Sequence, residues 1–189
     1  MLVLMIGLGL FLGCHGLAMF PSARARLVDA WGRPLYRLVF SLLSLAGLAL
    51  IIFGFAIYRA TGWVQLWVPP PATRHMAMLL MLPVFVLLLS AYLPGKLKST
   101  IRHPMFVAVI LWALAHLLAN GDLGGVVIFG SFLLWGVCAL ISVNFRDMPA
   151  TAKRGFGRHD VMALAGGALL YACFVVFLHP WLIGVRLLP

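Results

Sequence analysis

The chain contains no glutamate, and its 189 residues hold only four acids, all aspartates: Asp29, Asp122, Asp147 and Asp160. That removes glutamate-based acid–base pairs, the HExxH zinc motif and di-iron carboxylate centres. Charge as a whole is scarce. Only 10% of residues are charged, 64% are hydrophobic, and the mean hydropathy is +1.10. A water-soluble globule needs a polar shell that this composition cannot supply. Cysteine is sparse too. Cys14, Cys138 and Cys173 lie inside apolar runs with no CxxC or CxxCH spacing. This argues against the usual zinc sites, covalently attached c-type haem and a disulfide framework.

What is present is apolar sequence sufficient for about six membrane helices of roughly 20 residues each. The runs cover residues 1–20, 35–58, 73–92, 104–119, 123–143 and 161–178. Each is too long and too apolar for an ordinary strand. The expected fold is all-α, a polytopic membrane bundle forming one domain over residues 1–189. The first run has no basic start, and Arg24 and Arg26 follow it. A cleaved signal peptide has the opposite order, so a retained first helix is expected. Thr73, after the prolines 69–71, is the expected N-cap of the third helix. Pro104 suits the first turn of the fourth, because its missing N–H would be unpaired there. Asn120, Gly121 and Asp122 stop that helix.

The net charge is +10, and the cations gather in short connections between apolar runs. The first connection holds Arg24, Arg26 and Arg33, the third Lys96, Lys98 and Arg102, and the fifth Arg146, Lys153, Arg154 and Arg158. The second has Arg59 and Arg74, and the fourth has none. Such alternation is topology signalling and attraction to lipid headgroups. It predicts cytoplasmic odd connections and both termini on the outer side. Trp63 and Trp67 then fit an outer aromatic belt. Membrane lipid is the expected partner. Nucleic acid is not, since no soluble module carries the basic residues.

Six histidines are the main chemical resource. His159 lies in a basic connection, His179 ends the sixth run, and His75 and His103 open helices. His15 and His116 differ, because each is flanked by apolar residues well inside a span. An ionisable group at such depth is either a neutral packing residue bonded to another helix or a functional site. Two imidazoles without a carboxylate or cysteine pair fall short of a bare metal ion's needs. Haem needs only one or two axial ligands and an apolar slot, which favours haem b. Gly9 and Gly13 form a GxxxG that would admit a helix or a flat ring, Gly16 adjoins His15, and Trp112 lies one turn from His116. Arg24, Arg26 or Arg102 could meet propionates. His103 and His116 are separated by nearly 20 Å along one helix and by about 140° around it, so they cannot share an iron. The partner of His116 is therefore His15 or His75. His103, beside Arg102, is expected to anchor the helix start or contact an anionic group.

The segments "FLGCHG", "LWVPPPATRHMAMLLMLPVFVLLLSAYLPG" and "RHPMFVAVILWALAHLLANGD" together resemble the NnrU family of bacterial membrane proteins. The resemblance covers residues 10–146, and the joint pattern is specific, whereas "RHP" alone is not. It implies a bacterial inner-membrane protein, in which the outward termini expected from the basic connections would be periplasmic. It also implies a link to denitrification, through production of nitrite and nitric oxide reductases. The family is similar to plant zeta-carotene isomerase, a membrane enzyme with haem b. The histidines that ligate haem there match His15 in "CHG" and His116 in "LAH". Two departures stand out. The plant pattern has cysteine where this chain has Ala113, and the first motif here reads His-Gly-Leu rather than His-Ser-Gly. The resemblance thus implies haem binding, whereas the two departures fall on the residues that ligand exchange and isomerisation would use.

Four functions compete: a haem-b protein supporting denitrification, an isomerase of an apolar polyene substrate, a methyltransferase of the isoprenylcysteine type, and a non-catalytic assembly factor. The methyltransferase is suggested by "RHP", but the segment "KRGFGRHD" is a poor match to its further acidic motifs.

Overall fold

A chain whose backbone enters hydrocarbon must satisfy every N–H and C=O internally, and a helix does so within one segment. The structure, a computed structural model, describes residues 1–146 and 154–188; Asp147 and Lys153 lie outside these. Its regular elements are α1 Leu2–Gly16, α2 Pro21–Ala60, α3 Pro71–Ser90, α4 Lys96–Ile101, α5 Pro104–Ala119, α6 Leu123–Asn144, α7 Arg158–Cys173 and α8 His179–Ile183. A 3-10 turn, Leu17–Met19, ends α1, and a π-helical turn, Phe174–Leu178, joins α7 to α8. Among the described residues the only β pairing is an isolated bridge between Gln65 and Asp122. Five helical stretches are long and apolar enough to cross a membrane: Leu2–Met19, Pro21–Ala60, Pro71–Ser90, Leu123–Asn144 and Arg158–Ile183. Pro104–Ala119 is a shorter apolar helix. The protein is an all-α, multi-pass membrane bundle.

Three local expectations shift. The second helix starts at Pro21, not near residue 35, because helical backbone resumes on both sides of one non-helical residue, Gly32 (φ 76°). The third starts at Pro71 with Pro70 as its N-cap, so Thr73 lies inside and its hydroxyl donates back to the Pro70 carbonyl at 2.7 Å. The sixth continues to Ile183 through the π turn. Pro180 explains that turn. Its ring excludes an ordinary α contact with the carbonyl four residues earlier, and widening the helix relieves it.

The chain forms two compact units. The first comprises Met1–Val68 and Asn120–Arg146. Here α1 runs antiparallel to α2 along a glycine seam. A Cβ on Gly7 would stand 2.6 Å from the Ile51 amide nitrogen, and one on Gly47 would stand 2.8 Å from that of Phe11. Gly54 is equally closed by Leu4. Leu4, Leu8, Ile51 and Ile128 form the buried core, with Phe11 and Phe132 against it. At one end, Leu66 and Trp67 donate to the Gly121 carbonyl at 2.8 and 3.0 Å. Leu123 donates to Val64 at 2.9 Å. The buried Asp122 caps α6 by accepting from Gly125 N–H at 2.9 Å. At the α6 C-terminus, Arg146 donates to the Ala18 carbonyl at 2.7 Å and to Ser142 Oγ at 3.1 Å. A cation there meets the carbonyl-rich end of α1, where the helix dipole favours it.

The second unit comprises Pro69–Ala119 and the described residues 154–188. Helix α3 packs against both α5 and α7. Val84, Leu87 and Ala108 are buried together, with Leu111 and Trp112 beside them. Gly167 lies against the Val86 backbone, and Tyr171 Oη donates to the Met78 carbonyl at 3.0 Å. Asp160 fastens this unit. Its carboxylate accepts from Leu97 N–H at 2.8 Å and from Lys96 and Gly157 N–H at 3.0 Å each. One acid thus caps the starts of both α4 and α7. A Cβ on Gly95 would stand 2.5 Å from the same carboxylate, so the approach needs glycine.

Candidate functional site

His15 and His116 each stand in the last turn of their helix, not midway along it, and occupy the same local arrangement. His15 Nδ1 lies 2.7 Å from the Phe11 carbonyl oxygen, and His116 Nδ1 lies 2.7 Å from that of Trp112. A carbonyl oxygen only accepts, so Nδ1 carries the proton in each ring. The lone pair of the neutral imidazole is therefore on Nε2. The bond turns each ring back along its helix and fixes which nitrogen is left to face outward. The i−4 spacing makes the device local: Phe11 and His15 are one turn apart on α1, as Trp112 and His116 are on α5.

Their surroundings are aromatic. In the first unit His15 stacks on Phe11 with ring centroids 4.2 Å apart. It also faces Phe40 at 5.1 Å and meets Trp135 edge-on at 6.0 Å. His15 extends the stripe of Leu4, Leu8 and Phe11, spaced i, i+4, i+7, i+11, which is the packing face of α1. On α2 the opposing stripe is Phe40, Ser44, Gly47, Ile51 and Gly54. Ser44 Oγ is buried on that stripe with no hydrogen-bond partner among the described residues. An orphaned hydroxyl in a membrane seam is costly, and it suits a site that receives a polar ligand group.

The glycine slot expected beside His15 is not on its face. Gly13 projects about 160° away around α1, and Gly16 about 100° away. A Cβ on Gly9, Gly13 or Gly16 would meet no atom within 4 Å. The seam is closed instead by Gly7, Gly47 and Gly54, because the stripe containing Leu4 and Leu8 decides which side of α1 turns inward.

In the second unit the Trp112 and His116 rings are 5.1 Å apart and tilted by 51°. Ala113, where the plant pattern has cysteine, is fully buried. His179 lies within electrostatic range of His116, and its own Nδ1 donates to the Val185 carbonyl at 2.8 Å. The sequence placed His179 only at a helix end. Its proximity to His116 depends on how α5 and the region after the π turn fold, which no spacing reveals. His75 is exposed at the start of α3, and His159 is half-buried beside Asp160. His15 thus belongs to the first unit, and His116, Trp112, Arg102 and His103 to the second.

His103 caps α5 through its backbone. Its carbonyl accepts from Phe106 at 3.2 Å and Val107 at 3.3 Å, and its own N–H donates to Ile101 at 2.6 Å. That last bond closes a γ-turn centred on Arg102, the one non-glycine residue with positive φ (61°) among the described residues. This hand of γ-turn is rare and strained for a side-chain-bearing residue. The exposed Arg102 and burial together act on the His103 imidazole. Burial is the larger cause and the guanidinium charge the second, and they hold its pKa below the usual value.

No group of three or more His, Cys, Asp or Glu side chains positioned to hold a bare metal ion exists among the described residues. The donor chemistry on offer is instead that of single imidazoles with Nε2 as acceptor, set in aromatic surroundings. A planar metallocycle that takes imidazole nitrogen would be chemically compatible with such donors. In comparisons with known proteins, the family model described as NnrU protein matches residues 3–187. No curated protein and no solved structure matches the chain.

Proposed function

The chain belongs to the NnrU family, and from that premise we propose that it is a haem-b protein of the bacterial inner membrane that supports denitrification, with His15 of the first unit and His116 of the second as the imidazoles that would hold haem iron. The observation that carries this reading is the shared locking of both imidazoles, each with Nδ1–H on an i−4 carbonyl at 2.7 Å. A ligand to haem iron needs a neutral imidazole with its lone pair on the outer nitrogen and its ring held against rotation. Haem b, when bound, supplies a one-electron redox couple. Phe11, Phe40 and Trp135 surround the His15 ring, and Trp112 borders that of His116. Ser44 offers a hydroxyl to a polar edge, and Arg102 a cation to a propionate. Isomerisation of an apolar polyene such as zeta-carotene is the alternative. Ala113 counts against it, since a methyl group cannot replace a thiol in ligand exchange.

The test is the absorption spectrum of protein purified from membranes, with haem counted as its pyridine haemochrome. The expected result is a low-spin b-type spectrum that is lost in His116→Ala and lost or converted to high spin in His15→Ala. Folded protein that carries no haem in cells able to make it overturns the proposal. So does a spectrum unchanged in both variants.

A further inference from the structure

The 40 residues of α2 are more than one span requires, since about 20 cross the hydrocarbon. The excess lies before Gly32, whose φ of 76° and ψ of 156° separate residues 21–31 from the apolar helix that follows. The sequence of that first piece, "PSARARLVDAW", carries two arginines and an aspartate, and Arg33 and Arg37 follow at once. It is too short and too polar to cross a bilayer, yet it joins two stretches that can. At 100° per residue, Phe20, Leu27 and Trp31 fall on one stripe, while Ser22, Arg26 and Asp29 fall opposite. Packing covers the stripe only in part: Leu27 is half-buried, but Phe20 is 63% exposed and Trp31 45%. Arg24 lies on the apolar side, but its guanidinium turns across the Gly32 break and sits 5.6 Å over the Tyr36 ring. A long stem along apolar surface with the charge drawn to an aromatic ring is how arginine occupies a water–lipid boundary.

We propose that residues 21–31 form an interfacial helix lying in the plane of the membrane, with Phe20, Leu27 and Trp31 in the acyl boundary and Arg24, Arg26 and Arg33 on the phosphates of anionic phospholipid. An amphipathic basic helix with an aromatic on its apolar face has the chemistry of such a surface. The occupant follows from charge and continuity. Three arginines oppose one aspartate over residues 21–33, all four are exposed, and a membrane span adjoins each end. The Gly32 break is what allows the chain to turn from lying along the surface to crossing the bilayer, because its positive φ is open to glycine at little cost.

The experiment uses the full chain with Cys14, Cys138 and Cys173 replaced by alanine, reconstituted in vesicles of phosphatidylethanolamine and phosphatidylglycerol. Single spin labels are placed through Ser22→Cys, Arg26→Cys, Leu27→Cys and Trp31→Cys. Positions 27 and 31 should collide several-fold more with oxygen than with a water-soluble nickel complex, and positions 22 and 26 should show the reverse. Equal exposure of all four to the nickel complex overturns the proposal in favour of an aqueous loop. Low collision with both reagents at 27 and 31 overturns it in favour of a protein partner or a second copy. A second measurement keeps native cysteines and counts lipids retained by native mass spectrometry. Arg24→Gln/Arg26→Gln/Arg33→Gln should bind phosphatidylglycerol roughly a hundredfold more weakly than wild type, while Arg158→Gln should not. Equal retention by the triple variant overturns the headgroup assignment, as does displacement of the lipid by inorganic phosphate alone.

Discussion

Replacing Gly7 and Gly9 by alanine in turn should give effects of opposite sign, although the two glycines stand two residues apart on one helix. A Cβ on Gly7 would meet Ile51 N at 2.6 Å, Leu50 C at 2.8 Å and Leu50 Cβ at 2.9 Å. Ordinary contact begins at 3.4 Å, so α1 must retreat from α2 by about 0.8 Å. Two of the three atoms are backbone and cannot rotate away. A gap of that size forfeits roughly a quarter to a half of each dispersion contact along the seam of Leu4, Leu8 and Ile51. Overpacking of this kind costs about 1–3 kcal/mol. Alanine recovers up to about 1 kcal/mol of helix propensity relative to glycine, so Gly7→Ala should lose up to about 2 kcal/mol net. Gly9→Ala meets nothing within 4 Å and keeps the propensity gain of up to about 1 kcal/mol. The two variants share that gain and should differ by the overpacking cost alone, roughly five- to a hundredfold in their folded-to-unfolded ratio. Unfolding in mixed micelles with rising dodecyl sulfate, followed by circular dichroism, measures this directly. If Gly9→Ala destabilises as much as Gly7→Ala, the GxxxG face of α1 is packed and the seam described above is wrong.

Asp160→Ala should lower the thermal midpoint by more than Asp122→Ala, because three N–H donors from two chain segments lose one acceptor rather than a single cap bond being lost; a smaller shift than that of Asp122→Ala would refute the double-cap role. His103→Ala should leave a low-spin haem spectrum largely in place, since the residue's described role is to cap α5; loss of the haem bands in this variant, with their retention in His116→Ala, would reverse the ligand assignment. His103 also carries a pH dependence. Its folded pKa lies below the unfolded value of about 6.5, so the unfolded chain binds the proton more readily and this residue's contribution is complete above about 6.5 and lost as pH falls through the folded value. The decline in thermal midpoint on acidification should therefore be shallower in His103→Gln than in wild type. Reporter fusions after Pro94 and after Lys153 should read cytoplasmic and one after Pro69 should not, as the alternation of basic connections requires.

Hydropathy and punctuation located the six apolar helices, but not the early start of α2 at Pro21, the short α4 or the continuation past the π turn. A run of about 20 apolar residues has one low-energy solution in a bilayer, and Pro104, Gly121 and Asp122 mark its ends through the donors and angles they supply or lack. Counting residues put His15 and His116 well inside apolar runs, but both stand in the last turn of their helices, because α1 ends at Gly16 and α5 at Ala119. Which side of a helix turns inward was not legible. Gly9 and Gly13 carry the recognisable spacing, yet the seam runs through Gly7, Gly47 and Gly54, because a helix face is chosen by what the neighbouring helix presents. Asp160 read as one acid among four until folding brought Lys96 and Leu97, more than sixty residues away, to its carboxylate. The orphaned hydroxyl of Ser44 and the nearness of His179 to His116 are likewise tertiary facts. A sequence specifies how far along the chain a polar group lies, whereas its partners depend on segments remote in sequence, and only packing brings those together.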